Sequence, residues 1–505
     1  MTAGSKGTLL LDLAWASAAT ILAAGIRLLA QEGIPLLPDS YQSMLLAHGL
    51  SHSVPASAAM GDGGSPWAIP FYRLGYPLLA WPFSAFSHDP FMPGLIVSFI
   101  AGVATVPVVY FLALAGLQSR TAAVGAALAA ALSFSATAWS RFVMSEGTAM
   151  FWVALTLLLA VAAGRARHPG LGILTGVSAA VMILVRMELM LLLPTLVLLM
   201  HQRSETGQGW DFEWRYFAIP GLAAFVALSA VCGWLAQNVV EGFTLNPGYF
   251  VRAAFSRTPT EASNPMAGLG MGFLSFVLHE PILILLGALG LVAGHRRGVR
   301  SLRALWPGLL LLAVIPPRND IRFLAPLVPL LAYAAGYGFQ IVREWSTTRL
   351  RELTTLRALA LSTAIGLGIV LLLVAQVWQT ESRWHPDGAY ERELALGTNQ
   401  EVEARGLDDV VICTYSPEGY YMVTGLAARR LSAPDISLCI PPEPGNWRII
   451  LVVDEAVRRH FGEDFEQDLR SVSVPLFEIP TDAPYLQGAS AYANLRPASA
   501  YLLIR

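Results

Sequence analysis

Charge is what this chain has least of. Only 13% of its 505 residues are Asp, Glu, Lys or Arg, and Lys6 is the single lysine. Soluble domains carry about a quarter charged residues. With 55% hydrophobic residues and a mean hydropathy of +0.54, the chain reads as a polytopic α-helical membrane protein. A net charge of −2 says nothing about nucleic acid, and no basic tract suggests it, so no nucleic-acid partner is expected. Cysteine is scarce too: Cys232 lies in an apolar run, Cys413 and Cys439 in the polar C-terminal part. No C-x-x-C or Cys/His cluster speaks for a metal site. Internal repeats and low-complexity tracts are also missing. The first apolar run, near 9–30, is too long for a signal-peptide core and has no convincing cleavage site, so it is expected to remain as an anchor.

What the chain has instead is apolar runs. A membrane helix needs about 20 apolar residues. Such runs fall near 9–30, 91–116, 121–139, 147–163, 170–185, 187–200, 218–240, 271–294, 304–316, 321–342 and 358–378, which predicts about eleven spans. The stretch 170–200 is expected to break around Arg186. Arginines mark alternate loops: Arg120; Arg165 and Arg167; Arg203 and Arg215; Arg296, Arg297, Arg300 and Arg303; Arg343, Arg349, Arg351 and Arg357. The positive-inside rule makes these loops cytoplasmic, with the N-terminus inside and the C-terminus outside, as expected for a bacterial inner (plasma) membrane protein.

Two outer segments are large. Residues 31–90 are rich in Pro, Trp and Tyr, which favours interfacial helices along the membrane surface. Residues 379–505 have ordinary polarity and read as a small extracytoplasmic α/β domain. Its expected strands are Val410–Tyr415, Arg448–Val453, Val472–Ile479 and Ala500–Ile504; its expected helices are Glu391–Arg405 and Glu455–Leu469. It has no G-x-G-x-x-G or P-loop, so nothing speaks for nucleotide binding. The expected division is thus 1–378 for the membrane part and 379–505 for the soluble domain. In an oxidising compartment Cys413 and Cys439 either pair or stay as two separately buried thiols.

The charged residues that remain collect at the outer ends of spans. Asp39, in Leu37-Pro38-Asp39-Ser40-Tyr41-Gln42, follows the first span and can both cap a helix and act as a general base. Arg141 and Glu146 bracket Phe-Val-Met-Ser between two spans, and Arg186 with Glu188 interrupts an apolar run. An Arg there either pairs with an acid or meets a phosphate. In Pro317-Arg318-Asn319-Asp320-Ile321-Arg322, two arginines four apart flank an acid where a span begins. Guanidinium forks suit phosphate oxygens, though snorkelling anchors are the alternative. His279-Glu280 reads more simply as a satisfied interfacial pair.

Three segments carry a resemblance. Pro38-Asp39-Ser40-Tyr41-Gln42 resembles the Pro-Asp-Glu-x-x-Gln signature of lipid-phosphate-mannose-dependent mannosyltransferases. Arg318 to Pro329 resembles their His-Lys-Glu-x-Arg-Phe-x-x-Pro-x-x-Pro segment. Tyr72-Arg73-Leu74-Gly75-Tyr76-Pro77 is similar to the first outer loop of aminoarabinose and protein mannosyl transferases. Together they point to the GT-C superfamily over residues 9–378, with Ser40 and Arg318-Asn319-Asp320 departing from the pattern.

The resemblance implies an inverting glycosyltransferase that moves a monosaccharide from a polyprenyl-phosphate donor to a glycan, lipid or protein acceptor on the extracytoplasmic face. It implies Asp39 as catalytic acid; the next candidate, by its position at the end of a span, is Glu146. It implies Arg73, Arg318 and Arg322 around the donor phosphate, and the charge layout adds Arg186 to them. Arg141, Glu188, Asp320 and His279 are expected to support them. No metal or other cofactor is required when arginines stabilise the phosphate. The competing classes are a transporter or flippase for a lipid-linked glycan, and an oligosaccharide ligase.

Overall fold

The computed structural model describes residues 3–29, 43–44, 47–48, 75–87, 89–201, 215–239, 273–274, 276–314, 321–350, 387–414, 420, 423–424, 426–431, 439, 447–453, 457, 461, 463–478 and 499–503. Two compact units emerge. One comprises residues 1–31, 95–230 and 248–381; the other comprises 32–94, 231–247 and 382–505. The division expected from composition, at 378, follows chemistry along the chain rather than compactness.

The first unit is helical. α1 (Ala3–Leu29) buries one stripe, Asp12, Ala16, Ala19, Ala23 and Arg27, at the i, i+3, i+4 spacing of a single helix face. Its other faces expose Leu10, Ile21, Leu28 and Leu29, as a lipid-facing helix does. Small residues along the stripe let α1 lie close to its neighbours. A charge at each end fixes its register. At one end Asp12 Oδ1 accepts from Arg120 Nε at 2.7 Å and from the Tyr110 hydroxyl at 3.0 Å. At the other, Arg27 Nε donates to Ser140 Oγ at 2.7 Å.

After α2 (Gly75–Ser84), which belongs to the second unit, come α3 (Met92–Leu117), α4 (Arg120–Ala131), α5 (Phe134–Trp139) and α6 (Ser145–Ala166). Ser119 caps α4, accepting from the amide of Ala122 at 3.3 Å. The run expected as one span over 121–139 is interrupted at Leu132–Ser133, because the Ser133 hydroxyl caps a new helix through the Ala136 amide at 3.1 Å. α6 ends on left-handed Arg167, and His168 with Pro169 opens α7 (Pro169–Val185).

Arg186 breaks the next run as expected. A 3₁₀ turn, Met187–Leu192, and α8 (Leu193–Met200) follow, then α9 (Arg215–Val239). α10 (Pro281–Arg296), α11 (Arg300–Arg303) and α12 (Trp306–Val314) turn back sharply, the bend at residues 297–299 being 118°. A second 3₁₀ turn, Ile321–Leu327, leads into α13 (Val328–Leu350).

α13 packs against α10 on one side and α4 on the other through glycines. A Cβ at Gly290 would collide with the Ala334 carbonyl, and one at Gly336 with the Ala122 carbonyl. Helix backbones approach this closely only through glycine, the packing mode of membrane helices.

By length and composition four described helices can cross a membrane: Thr8–Leu29, Met92–Leu117, Ser145–Ala166 and Leu324–Thr347. The bent pair makes a fifth if counted as one span. Other apolar helices, Arg120–Ala131, Pro169–Val185 and Met187–Met200, are shorter than a full span. The expected span 358–378 lies outside the described residues.

In the second unit, α2 exposes Trp81, Phe83 and, just past its end, Phe86. The remaining elements are α14 (Asp387–Ala404), β1 (Val410–Thr414), β2 (Ala427–Arg430), β3 (Arg448–Val453), α15 (Glu463–Val472), β4 (Ser473–Glu478) and β5 (Ser499–Leu503). The strands form a mixed sheet in the order β2-β1-β3-β5-β4. β1 runs parallel to β2 and β3, and β5 runs antiparallel to β3 and β4.

Alternate residues feed opposite faces. Val410, Ile412, Ile450 and Val452 join Leu394 and Ala395 of α14; Cys413, Ile449, Leu451 and Val453 join Leu469 of α15. On that second face Cys413 and Cys439 form a disulfide, with Cα atoms 5.7 Å apart. β2 was not expected from sequence, because Ala-Ala-Arg-Arg carries no strand pattern. Of the expected helix Glu455–Leu469, Val457, Phe461 and the residues from Glu463 on are helical; its other residues lie outside the described ones. Arg392 of α14 reaches Asp89 at 3.4 Å, an ion pair within the second unit.

Candidate functional site

The polar centre of the helical unit lies where α6 begins and α7 ends. Arg186 is the residue that stops α7: its backbone is extended, with its amide still bonded to the Met182 carbonyl at 3.1 Å. Its guanidinium turns to two acids. Nε donates to Glu188 Oε1 at 2.6 Å, and Nη1 is bonded to Glu146 Oε1. Arg186 and Glu146 are 3% and 1% exposed, so this pair is removed from solvent, whereas Glu188 is partly open.

Burying such charges is costly unless they pair, which makes the break at Arg186 and the start of α6 mutually dependent. Glu146 is the second residue of α6, whose N-cap Met144 offers no side-chain acceptor. The acid thus sits where the helix dipole favours negative charge. Its second oxygen, Oε2, is buried and has no hydrogen-bond partner. With two carboxylates and one guanidinium, the trio carries a formal charge of −1.

A second set brackets the short helix α5. Glu280 is 1% exposed and accepts from the Ser133 hydroxyl at 2.6 Å and from the Ser135 amide at 2.7 Å, at the N-terminal end of α5. Arg27 takes the other end. It donates through Nε to Ser140 Oγ, and through Nη1 to the carbonyls of Ala23 at 3.0 Å and Ala131 at 3.4 Å. Acid at the start and cation at the end complement the direction of the helix dipole. Ser140 packs on the backbone of Gly147, so the Arg27 set adjoins Glu146.

The expected residues therefore fall into three groups. Glu146, Arg186 and Glu188 are brought together. Arg141 lies on the turn between α5 and α6, partly buried, and His279 stacks its ring on Phe134 at 4.7 Å. Arg322 belongs to the 3₁₀ turn Ile321–Leu327, whose backbone packs on α5 and α6, bringing that chain position to the same end of the unit. Asp39, Arg73, Arg318 and Asp320 lie outside the described residues.

Sequence reasoning gave no role to Arg27, and it read Glu280 with His279 as a satisfied interfacial pair, whereas Glu280 is buried against Ser133 and Ser135. The signal for Arg27 was present in the stripe from Asp12 to Arg27, which places it on the buried face of α1. Among the described residues, no group of three His, Cys, Asp or Glu side chains is placed to hold a metal ion.

Comparison with known proteins gives the fold. Residues 74–234 match the family described as dolichyl-phosphate-mannose-protein mannosyltransferase. No curated protein matches the sequence. Among solved structures, ArnT from Cupriavidus metallidurans in the apo state shares the fold at a TM-score of 0.58 and 12% identity, over 99% of both chains. ArnT from the same organism bound to undecaprenyl phosphate gives a TM-score of 0.57 at 12% identity, over 98% of both. The Archaeoglobus fulgidus oligosaccharyltransferase, tethered to an acceptor peptide, gives 0.58 at 11%, covering 88% of this chain and 69% of its own.

The fold is that of the GT-C membrane glycosyltransferases, and the family matched over residues 74–234 belongs to the same class. Within that class, ArnT is similar to this chain over its full length, C-terminal sheet domain included.

Proposed function

We propose that this protein is an inverting glycosyltransferase that takes a monosaccharide from a polyprenyl-phosphate donor and delivers it to a glycan, lipid or protein acceptor on the extracytoplasmic face. The observation that carries this reading is the full-length likeness to ArnT, one of whose structures holds undecaprenyl phosphate. The donor arrives on lipid, which fits a chain without a nucleotide-binding motif. The ligase reading is weaker, because the oligosaccharyltransferase is covered over only 69% of its length.

In this reading, the acceptor oxygen attacks the anomeric carbon from the face opposite the phosphate. Its proton passes to the Asp39 carboxylate. The bond from the anomeric carbon to the phosphate oxygen breaks, and its electron pair stays on the phosphate. Arg73, Arg318 and Arg322 stabilise the charge that builds there through fixed electrostatics. Because guanidinium groups supply that charge, the step needs no metal, and EDTA should leave the rate unchanged. The carboxylates of Glu146 and Glu188 occupy Arg186, so its part is to hold Glu146 and the start of α6 in place.

The test is a purified-protein assay with polyprenyl-phosphate sugars that follows release of the lipid phosphate. Donor movement across the bilayer with no release would favour the transporter class. Transfer only from pyrophosphate-linked oligosaccharide would favour the ligase.

A further inference from the structure

Arg27 is a buried cation that the mechanism above leaves unused. It is 0% exposed, and its three hydrogen bonds all end on neutral oxygens: the Ser140 hydroxyl and the carbonyls of Ala23 and Ala131. Its Nη2, with two N–H groups, donates to nothing. Among the described residues no carboxylate pairs with it, whereas Arg186 is held by two carboxylates and Asp12 meets Arg120. An uncompensated guanidinium in an apolar interior is costly and marks a functional position by default. A water molecule would satisfy the two N–H groups but not the charge. An oxyanion satisfies both, and the planar fork suits it.

We infer that Arg27 is a further donor-site residue, whose Nη2 binds a phosphate oxygen of the polyprenyl-phosphate carrier. This inference rests on the function proposed above. The position fits: Arg27 is two residues from the end of α1, and its partner Ser140 packs on Gly147, the neighbour of Glu146. Nη2 is enclosed in this structure, so binding requires local opening at this end of the unit. The product, a free lipid phosphate monoester, carries more negative charge than the donor and is held more tightly.

The experiment uses the full chain in nanodiscs of zwitterionic lipid. Thermal unfolding and binding are measured with polyprenyl phosphate, with inorganic phosphate, and separately in phosphatidylglycerol nanodiscs without added ligand. Wild type, Arg27→Gln and Arg27→Lys are compared. Without ligand, Arg27→Gln should unfold at the wild-type temperature or higher, since it removes a charge that has no counter-ion. Polyprenyl phosphate should stabilise wild type, with its Kd at least tenfold weaker in Arg27→Gln and intermediate in Arg27→Lys.

Equal Kd in all three proteins overturns the assignment and leaves the donor reading intact. A wild type that ignores polyprenyl phosphate removes both. Inorganic phosphate or phosphatidylglycerol stabilising wild type over Arg27→Gln as strongly as the carrier does overturns the carrier as the source of the oxyanion. Arg27→Gln unfolding far below wild type with unchanged binding makes Arg27 a strut. If Arg27→Gln does not fold, Arg27→Lys, which lacks the fork, gives the same comparison.

Discussion

At the scale of single residues, Arg186 separates structure from chemistry. Replacing Arg186 with Met leaves Glu146 buried without its cation, and breaking a buried pair from one side costs about 3–5 kcal/mol. Adding Glu146→Gln to that variant removes the stranded charge and should recover part of the loss. Denaturant unfolding of the purified single and double variants measures the coupling directly. Additive losses would mean that the pair contributes nothing as a pair.

Asp39→Asn should behave differently. Asn caps helices as well as Asp does, so expression and donor binding should hold, while the transfer rate falls by about 10²–10⁴-fold. More than about a tenth of the wild-type rate remaining would move the base elsewhere, with Glu146 as the next candidate.

At the scale of elements, the glycines of α10 and α13 decide how closely these helices approach. A side chain at Gly290 meets the Ala334 carbonyl, a backbone atom that cannot swing aside. Gly290→Val is therefore expected to destabilise by about 1–3 kcal/mol or more, through overpacking. Gly25 of α1 is the control: nothing lies within 4 Å of its added Cβ. Gly25→Ala should be neutral or stabilise by about 0.5–1 kcal/mol, as Ala does in helix interiors. Unfolding midpoints of the two variants in one detergent make the comparison, and equal effects would refute the close-packing account.

At the scale of the whole molecule, the disulfide ties stability to topology. Cys413 and Cys439 close a loop with a sequence separation of 26, and losing such a bridge costs about 3 kcal/mol in the chain-entropy account. Cys413→Ser should lower the stability of the sheet domain by about that amount, read by limited proteolysis or unfolding of the full chain. Bridges persist in oxidising compartments, so an extracytoplasmic 379–505 would let this one form in the cell. In protein made in its own membrane, both cysteine peptides should alkylate only after reduction. An impermeant reagent that labels 379–505 only from the cytoplasmic side would invert the whole arrangement.

Much of the chain could be read before it was seen folded. The scarcity of charge and the apolar runs determined a helical membrane part, since backbone polar groups in lipid must be satisfied within the helix. Short apolar runs determined β1, β3, β4 and β5, because a sheet buried on both faces needs apolar residues at successive positions. The break at Arg186 was legible because a charged residue in an apolar run must find a partner.

Other features needed the tertiary structure. Sequence could not say that Arg186 turns to Glu146, 40 residues away, as well as to its neighbour Glu188, because pairing depends on which helix ends meet. The span at 121–139 looked continuous until the Ser133 hydroxyl and Glu280, 147 residues apart, shared a hydrogen bond. In the sequence, Arg27 is only a basic residue near the end of an apolar run. Only the packing of α1 on α4 and α5 buries its guanidinium among neutral oxygens, and that burial is what turns an anchor into a candidate for binding an anion.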